Sequence, residues 1–332
     1  MKTRILLIGG AGYIGTVVTD FFLKKNYQVT CLDNFIFNNE YAINSFRSSQ
    51  NYKIIKGDLR NKNICEKLVI SHDVIIILGG LVGDPITKKY PNESKLINSE
   101  GIKKLILLCE KKNDGKLIFV STCSNYGLSK TENLLDENSE LKPLSLYAQQ
   151  KVEIENFILS LKSKIKISPT ILRFSTAFGL SPRMRFDLTI NQFTKSIYQK
   201  EPLLVFDAET WRPYCHVNDF ALALEKVIDS NKKHTDFQVF NVGGEKNNYT
   251  KKQITELILI QLPSNNKVEF TNKKFDPRNY RVNFSKIEKN LNFKIKFGVE
   301  EGIEEMIEFF KNNKEKLKEF NSNLYGNYSI KL

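Results

Sequence analysis

Tyr147 and Lys151 stand four apart in a stretch of helical periodicity, residues 143–162, so both side chains fall on one face. A phenol titrates near pH 10 and is a poor base at neutrality, but an adjacent ammonium stabilises its phenolate. A tyrosine so placed takes a proton from a hydroxyl. The pair alone recurs by chance on exposed helices, and its meaning depends on what stands beside it. Upstream, the apolar run 116–121 leads into Ser121-Thr122-Cys123-Ser124-Asn125-Tyr126-Gly127, which puts hydroxyls at the C-terminal end of a strand. One of them, Thr122, can orient the reacting hydroxyl.

A second constellation lies at the start of the chain. Gly9-Gly10-Ala11-Gly12-Tyr13-Ile14-Gly15 follows a first apolar run, Arg4–Ile8, and opens the periodic stretch 13–25. Gly9, Gly12 and Gly15 satisfy G-x-x-G-x-x-G: the turn is tight, the backbone must approach a pyrophosphate, and the helix must pack close to the strand. The helix start, with the N–H groups of Tyr13 and Ile14, offers donors to phosphate charge. Asp33 ends the second apolar run, where a carboxylate accepts both ribose hydroxyls of an adenosine and repels a 2′-phosphate, favouring NAD over NADP. Asn34 stands beside it. Asp58-Leu59 follows the third run at the adenine edge, and Leu78-Gly79-Gly80 follows the fourth, letting cofactor lie against backbone. The order of these signals at strand C-termini leads to a dinucleotide site in which Tyr147 takes a hydroxyl proton while hydride leaves the same carbon for NAD. Lys151 is then expected to hold the nicotinamide ribose as well.

The elements that must position these residues read as strands at 4–8, 28–32, 53–56, 73–78, 116–121 and 166–173. They alternate with helical stretches at 13–25, 95–112 and 143–162. Alternation of this kind predicts an α/β fold with a Rossmann-type doubly wound parallel sheet. After Gly179 helices are expected at 184–200, 218–231, 251–262 and 300–320, with strands at 203–206 and 237–242, forming a smaller C-terminal α/β substrate domain. The predicted division is a NAD-binding domain over 1–179, with some later segments returning to it, and a substrate domain over 180–332. Residues 321–332 read as a loosely held tail.

Composition excludes several other classes. The 332 residues carry 50 Lys+Arg against 37 Asp+Glu, a net charge of +13, yet the basic residues are scattered singly and in pairs, so no nucleic-acid partner is expected. Five cysteines, an odd number without a C-x-x-C pair, and three histidines at no ligand spacing give neither a disulfide framework nor a metal site. The longest apolar run, residues 74–83, is about half of the roughly 20 residues that cross a bilayer. The first apolar stretch is interrupted by glycines too soon for an export signal. No membrane association and a cytoplasmic location are expected.

With the glycine fingerprint, Asp33, Thr122 and the Tyr147/Lys151 pair in one order, residues 4–310 resemble the extended short-chain dehydrogenase/reductases, the NAD-dependent epimerase/dehydratase family acting on nucleotide sugars. Further matches are Arg173-Phe174-Ser175-Thr176-Ala177-Phe178-Gly179, Ser181-Pro182-Arg183-Met184-Arg185-Phe186-Asp187-Leu188, Arg212-Pro213-Tyr214-Cys215-His216-Val217-Asn218-Asp219 and Asp276-Pro277-Arg278-Asn279-Tyr280-Arg281. The later segments look most like enzymes of bacterial surface-polysaccharide pathways. The resemblance implies Thr122, Tyr147 and Lys151 as the catalytic triad, a nucleotide-diphosphate sugar as substrate, and a homodimer. It puts Arg212 at the substrate diphosphate, a task suited to a permanently charged fork. Ser124, Asn125, Thr176, Arg183, Arg185 and Arg278, with Arg281 as a further candidate, are the other substrate contacts it implies. His216 reads as structural.

The departures from the family narrow the chemistry. Its 4,6-dehydratases carry Asp and Glu after the catalytic Thr, where this chain has Cys123 and Ser124. A catalytic cysteine of the 3,5-epimerases would sit at Ser124, so Cys123 reads as a packing residue. What remains is hydride transfer at one carbinol, C4 of the sugar: a 4-epimerase working through a 4-keto intermediate, or else a hexose or heptose 4-dehydrogenase that releases the ketone. Thr176 stands where many 4-epimerases carry Asn. A non-catalytic NAD-sensing protein on the same fold is the reading of a different class, and the retained triad argues against it.

Overall fold

The computed structural model describes residues 2–129, 133–162, 164–263, 267–272 and 278–331. Asp276 and Pro277, two of the residues matched above, lie outside them. The first half delivers strands β1 (Arg4–Ile8), β2 (Gln28–Asp33), β3 (Tyr52–Lys56), β4 (Val74–Ile77), β5 (Lys116–Thr122) and β6 (Ser168–Phe174). Between them run helices α1 (Tyr13–Lys24), α2 (Lys62–Ser71), α3 (Asp84–Lys89), α4 (Pro91–Ser94), α5 (Ile102–Leu108) and α6 (Leu146–Ser160). The second half adds strands β7 (Thr176–Phe178), β8 (Leu203–Phe206), β9 (Trp211–His216), β10 (Gln238–Val242), β11 (Asn248–Thr250) and β12 (Val268–Thr271). Its helices are α7 (Thr189–Tyr198), α8 (Val217–Asp229), α9 (Lys251–Gln261), α10 (Ser285–Leu291) and α11 (Val299–Asn312).

Seven strands form one parallel sheet in the order β10-β6-β5-β4-β1-β2-β3. The continuous apolar runs explain it: Val74 to Ile77 are all buried, as are Leu117 to Val120, because helices cover both faces. The chain leaves β1 toward β2 and β3, then crosses back to β4 and onward. The strand order therefore reverses between β1 and β4, and in such sheets a ligand crevice opens outside the strand C-termini at that point. The doubly wound class expected from the sequence is what forms.

A smaller layer is built from β11-β9-β7, from the parallel pair β12-β8, and from α7, α9 and α11. These close on a core that includes Phe178, Phe186, Ile190, Tyr214, Met306 and Phe310. Among the segments after residue 179, β10, α8 and α10 return to the large sheet, the last of them packing on β10. The first pairs with β6, and the second packs on α1, where Lys25 and Glu225 form an ion pair at 2.6 Å. His216 is fully buried at the N-cap of α8: its Nδ1 accepts from the Asn218 N–H at 3.3 Å, and its Nε2 meets Glu305 Oε2 at 3.0 Å.

Four expectations change. The helix expected over 300–320 ends at Asn312 and is followed by short 3₁₀ turns. The helix expected over 184–200 begins only at Thr189, because Met184 and Phe186 enter the core as a loop pinned by Asn191, whose Nδ2 donates to the Arg185 carbonyl at 2.9 Å. The stretch 95–112 is π-helical over Lys95–Gly101 before α5. The segment after residue 321 is not loose: Tyr325 and Phe320 pack edge to face at 5.2 Å, and the Phe186 N–H donates to the Tyr325 carbonyl at 2.7 Å. No described helix is long and apolar enough to cross a membrane.

Candidate active site

The ends of β1, β2, β4 and β5 face the smaller layer across a cavity of about 470 Å³. Its wall includes Gly9, Gly12, Tyr13, Ile14, Gly15, Asp33, Asn34, Asp58, Leu59, Leu78, Gly79 and Gly80 from the glycine turn and the strand ends. Thr122, Ser124, Tyr147, Lys151, Thr176, Arg183, Arg185, Arg212 and Arg278 line it too. All the residues expected from the sequence at cofactor and catalytic positions are thus on one surface.

Gly9 has φ +79°, and a Cβ there would stand 2.4 Å from the Gly79 Cα. A Cβ on Gly15 would meet the Gly9 carbonyl at 2.6 Å. The turn thus lies flat against the β4 loop, with the N-terminus of α1 opening toward the cavity, a cradle that fits a pyrophosphate. Asp33 accepts from the Ala11 N–H at 3.0 Å and the Phe35 N–H at 2.8 Å, one on each oxygen. Burial pushes this carboxyl up, opposed by those two donors and by Arg183. Each oxygen keeps a lone pair for a ribose hydroxyl, so the residues present fit an adenine dinucleotide. Asn34 Nδ2 donates to Asp58 Oδ2 at 3.1 Å, and Arg60 grips the same carboxylate at 2.7 Å, which fixes the two loops to each other.

Ser145 caps α6 by accepting from the Ala148 N–H at 3.3 Å, which puts Tyr147 in the first turn and Lys151 one turn on. Lys151 is buried. Its Nζ donates to the Val120 carbonyl at 2.7 Å, lies 4.6 Å from the centre of the Phe119 ring and 5.8 Å from that of Tyr147. Burial lowers its pKa to about 8, against the raising effect of Glu155. The Tyr147 phenol is pushed above its usual range by burial and by Asp84, while Arg185 and Arg278 pull it down. Thr122 Oγ1 accepts from the Ser124 N–H at 3.1 Å, which holds its hydroxyl at the strand end on the cavity wall.

A buried ammonium with a lowered pKa carries a stability cost. Below about pH 8 Lys151 is charged in both folded and unfolded chains and the cost is full. Between about 8 and 10.5 the unfolded chain binds the proton that the folded one lacks, so this group's contribution to stability rises with pH. Lys151→Met is therefore expected to melt higher than the native chain at pH 7, with the difference shrinking toward pH 10.5. Paired thermal melts across that range check it, and a variant that melts lower at pH 7 contradicts it.

Behind the strand end lies a buried ion pair. Arg173 on β6 donates to Glu155 on α6 from Nη2 at 2.7 Å and from Nε at 3.1 Å. The same carboxylate receives the Ser121 hydroxyl and, at 2.8 Å, Asn125 Nδ2. This corrects Asn125: its side chain is fully buried in that network and is not on the cavity wall. Cys123 is buried as well, donating from Sγ to the Arg173 carbonyl at 3.2 Å, and burial pushes its thiol up to about 12. It is a packing residue. Ser124, by contrast, reaches the wall and receives Arg278 Nη1 at 3.3 Å.

The arginines divide. Arg185 forks onto Asp187 at 2.9 and 2.6 Å, and Arg278 pairs with Asp84 at 3.1 Å, both near enough to Tyr147 to act on its phenol. The Arg212 guanidinium lies 5.2 Å from the centre of the Tyr280 ring and donates to the Trp211 carbonyl at 2.7 Å. Arg183 is on the wall as well, where it lies over Phe37, 5.3 Å from the ring centre, donates to the Gly326 carbonyl and pulls the Asp33 carboxyl down. Arg281 stacks on Trp211 at 5.1 Å, outside the wall. Sequence reasoning missed Asp84, Asp187, Lys251, Asn327 and Tyr328, all on the wall. Asp187 lies within the 181–188 match without being singled out there, and of the others only Asp84, next to Gly83 and Pro85 at a helix start, carried a local signal.

Comparison with known proteins agrees with this geometry. Residues 5–243 match the model of the NAD dependent epimerase/dehydratase family. A UDP-glucuronate 4-epimerase of Thermodesulfobacterium geofontis is 28% identical over 326 residues, covering 94% of this chain and 98% of the relative. Among solved structures, UDP-glucuronic acid 4-epimerase from Bacillus cereus, in complex with UDP-glucuronic acid and NAD, superposes with a TM-score of 0.83 at 22% identity, covering 93% of this chain and 99% of that one. A dTDP-glucose 4,6-dehydratase from Bacillus anthracis in complex with NAD gives 0.83 at 24% identity, covering 96% and 100%. With the family model spanning the glycine cradle, Asp33, Thr122 and the Tyr147/Lys151 pair, the chain belongs to the NAD dependent epimerase/dehydratase family.

Proposed function

We propose that this chain is a nucleotide-sugar 4-epimerase. The observation that carries the reading is the shared wall: Thr122, Tyr147 and Lys151 face one cavity with the dinucleotide cradle, and no carboxylate occupies positions 123 and 124. A relative named UDP-glucuronate 4-epimerase, matched over nearly its whole length, supports the same reaction class. Bound NAD supplies the hydride acceptor and donor at the reacting carbon and adds a positive charge that favours a phenolate. Tyr147 takes the proton of the sugar C4 hydroxyl and returns it after the 4-keto sugar has turned over. The Thr122 hydroxyl orients that oxygen, and the Lys151 ammonium, held by the Val120 carbonyl, offsets the phenolate charge. Arg212 serves the diphosphate, with Ser124, Thr176, Arg185 and Arg278 around the sugar. The two last are each paired with an acid, so they position rather than add net charge.

A second copy of the chain is the partner this reading includes. Leu96 and Leu107 on one helical segment and Leu159 on α6 are apolar and exposed, which suits a helical dimer face.

Elimination of water between C5 and C6 needs a base for the C5 proton and an acid for the leaving hydroxyl. Cys123 is buried with its thiol pushed up to about 12, and among the described residues the Ser124 hydroxyl meets Arg278 and Tyr280 and no carboxylate. Incubation of UDP- and GDP-hexoses in deuterated water, followed by NMR, is expected to give a C4 epimer with hydrogen retained at C5 and the C6 hydroxyl intact. A 4-keto-6-deoxy product would overturn the reaction class.

A further inference from the structure

The segment at 324–331 crosses the cavity and ties its walls together. The Arg183 guanidinium donates to the Gly326 carbonyl at 3.0 Å. The Asn327 N–H donates to Asp187 Oδ2 at 3.2 Å, while its Nδ2 reaches the Val82 carbonyl at 3.0 Å. Lys89 Nζ donates to the Tyr328 carbonyl at 3.1 Å, and the Lys331 N–H donates to the Ile36 carbonyl at 2.9 Å. Between these anchors Ile330 packs on a small apolar cluster of Leu81, Ile86 and Ile97 with Ile36 and Phe37. Three bodies are thereby joined: the loop after β2 that follows Asp33 and begins with Asn34, the loop after β4 that begins with Leu78, Gly79 and Gly80, and the Arg183 to Asp187 loop of the smaller layer. The first two loops carry the adenosine and pyrophosphate positions of the cradle. Asn327 and Tyr328 themselves form part of the cavity wall.

We infer that residues 324–331 are a retaining strap for the dinucleotide, so that the cofactor is a resident of the protein and leaves only when the strap lets go of the loops after β2 and β4. The inference rests on the dinucleotide site of the epimerase reading and deepens it. A chain that returns its hydride to the same sugar gains from keeping the cofactor through many turnovers. A dehydrogenase that releases its ketone must exchange the reduced cofactor each time, and a strap across the exit would slow every cycle. A strap of this kind acts on the dissociation rate, where most differences in affinity reside.

The test is the exchange of bound cofactor. The full chain is loaded with radiolabelled NAD, transferred into excess unlabelled NAD, and sampled for label retained on the protein. Asn327→Ala removes the Nδ2 bond to Val82 while its backbone bond to Asp187 stays, and Ile330→Asp disrupts the apolar seat. Lys331→Pro deletes the exposed N–H to Ile36 without touching the core, which keeps the test valid if either of the others unfolds; circular dichroism and thermal melts establish that. Each folded variant is expected to release label at least about tenfold faster than the native chain, the factor that corresponds to one or two neutral hydrogen bonds. Release from the variants at the native rate would overturn the strap. Native release complete within seconds would overturn it too. A native chain that binds no NAD overturns the dinucleotide reading itself and the strap with it.

Discussion

Tyr147→Phe is expected to lower turnover by at least about 10²-fold, the usual cost of losing a general acid/base, while fold and NAD binding persist. The reason lies in where the phenol sits. Its hydroxyl is on the cavity wall, and no hydrogen bond from it holds up any other part of the chain among the described contacts, so its removal leaves packing intact. Burial and Asp84 push its pKa up, Arg185 and Arg278 pull it down, and the Lys151 ammonium stands 5.8 Å from the ring centre. Tyr147 stands one helical turn before the buried Lys151 ammonium, on the same face of α6. Steady-state turnover of the C4 epimerisation, with bound dinucleotide measured in parallel, checks it. Near-native turnover in the variant would remove Tyr147 from the chemistry.

Glu155→Ala is expected to destabilise the fold by about 3–5 kcal/mol, because it leaves the buried Arg173 charge without its partner. Both side chains are almost fully enclosed, 2% exposed for Glu155 and 5% for Arg173. The carboxylate also receives Ser121 and Asn125, so its loss frees the segment that carries Thr122. Among the described residues Arg173 then keeps the Tyr126 hydroxyl, at 3.0 Å, and the more distant Glu137 carbonyl. Urea unfolding measures the change. The double variant with Arg173→Ala should lose less than the sum of the two single changes, since the orphaned charge is then gone. A loss below about 1 kcal/mol for Glu155→Ala, the range of a solvated surface pair, would contradict the account.

Local signals read well wherever one stretch of chain makes its own case. Strand β1 with the glycine turn, Asp33 at the end of β2, and the Tyr147/Lys151 spacing on α6 all lie in segments whose periodicity and turn chemistry agree with the fold, and all reach the cavity. What failed was decided by contacts between distant segments. Asn125 stands one place beyond Ser124 in a 3₁₀ turn, and that step turns it from the wall toward Glu155, 30 residues later. Residues 184–188 have helical composition, yet the Arg185–Asp187 fork and Asn191 hold them as a loop. Arg183 does reach the wall, but its pairing with Phe37 and with the Gly326 carbonyl, 143 residues away, is one that no periodicity announces. The last segment lacks any repeat or motif, and its order comes from partners at Ile36, Val82 and Lys89.

In the proposed mechanism the hydrogen leaving C4 returns to C4 of the same sugar while Tyr147 handles the hydroxyl proton. A nucleotide hexose carrying deuterium at C4 tests it directly, by NMR and mass spectrometry of the product after many turnovers. The expected product is a C4 epimer that keeps the deuterium at C4, with none lost to solvent and no labelled reduced cofactor set free. Accumulation of a 4-keto sugar with stoichiometric labelled NADH in solution would contradict it.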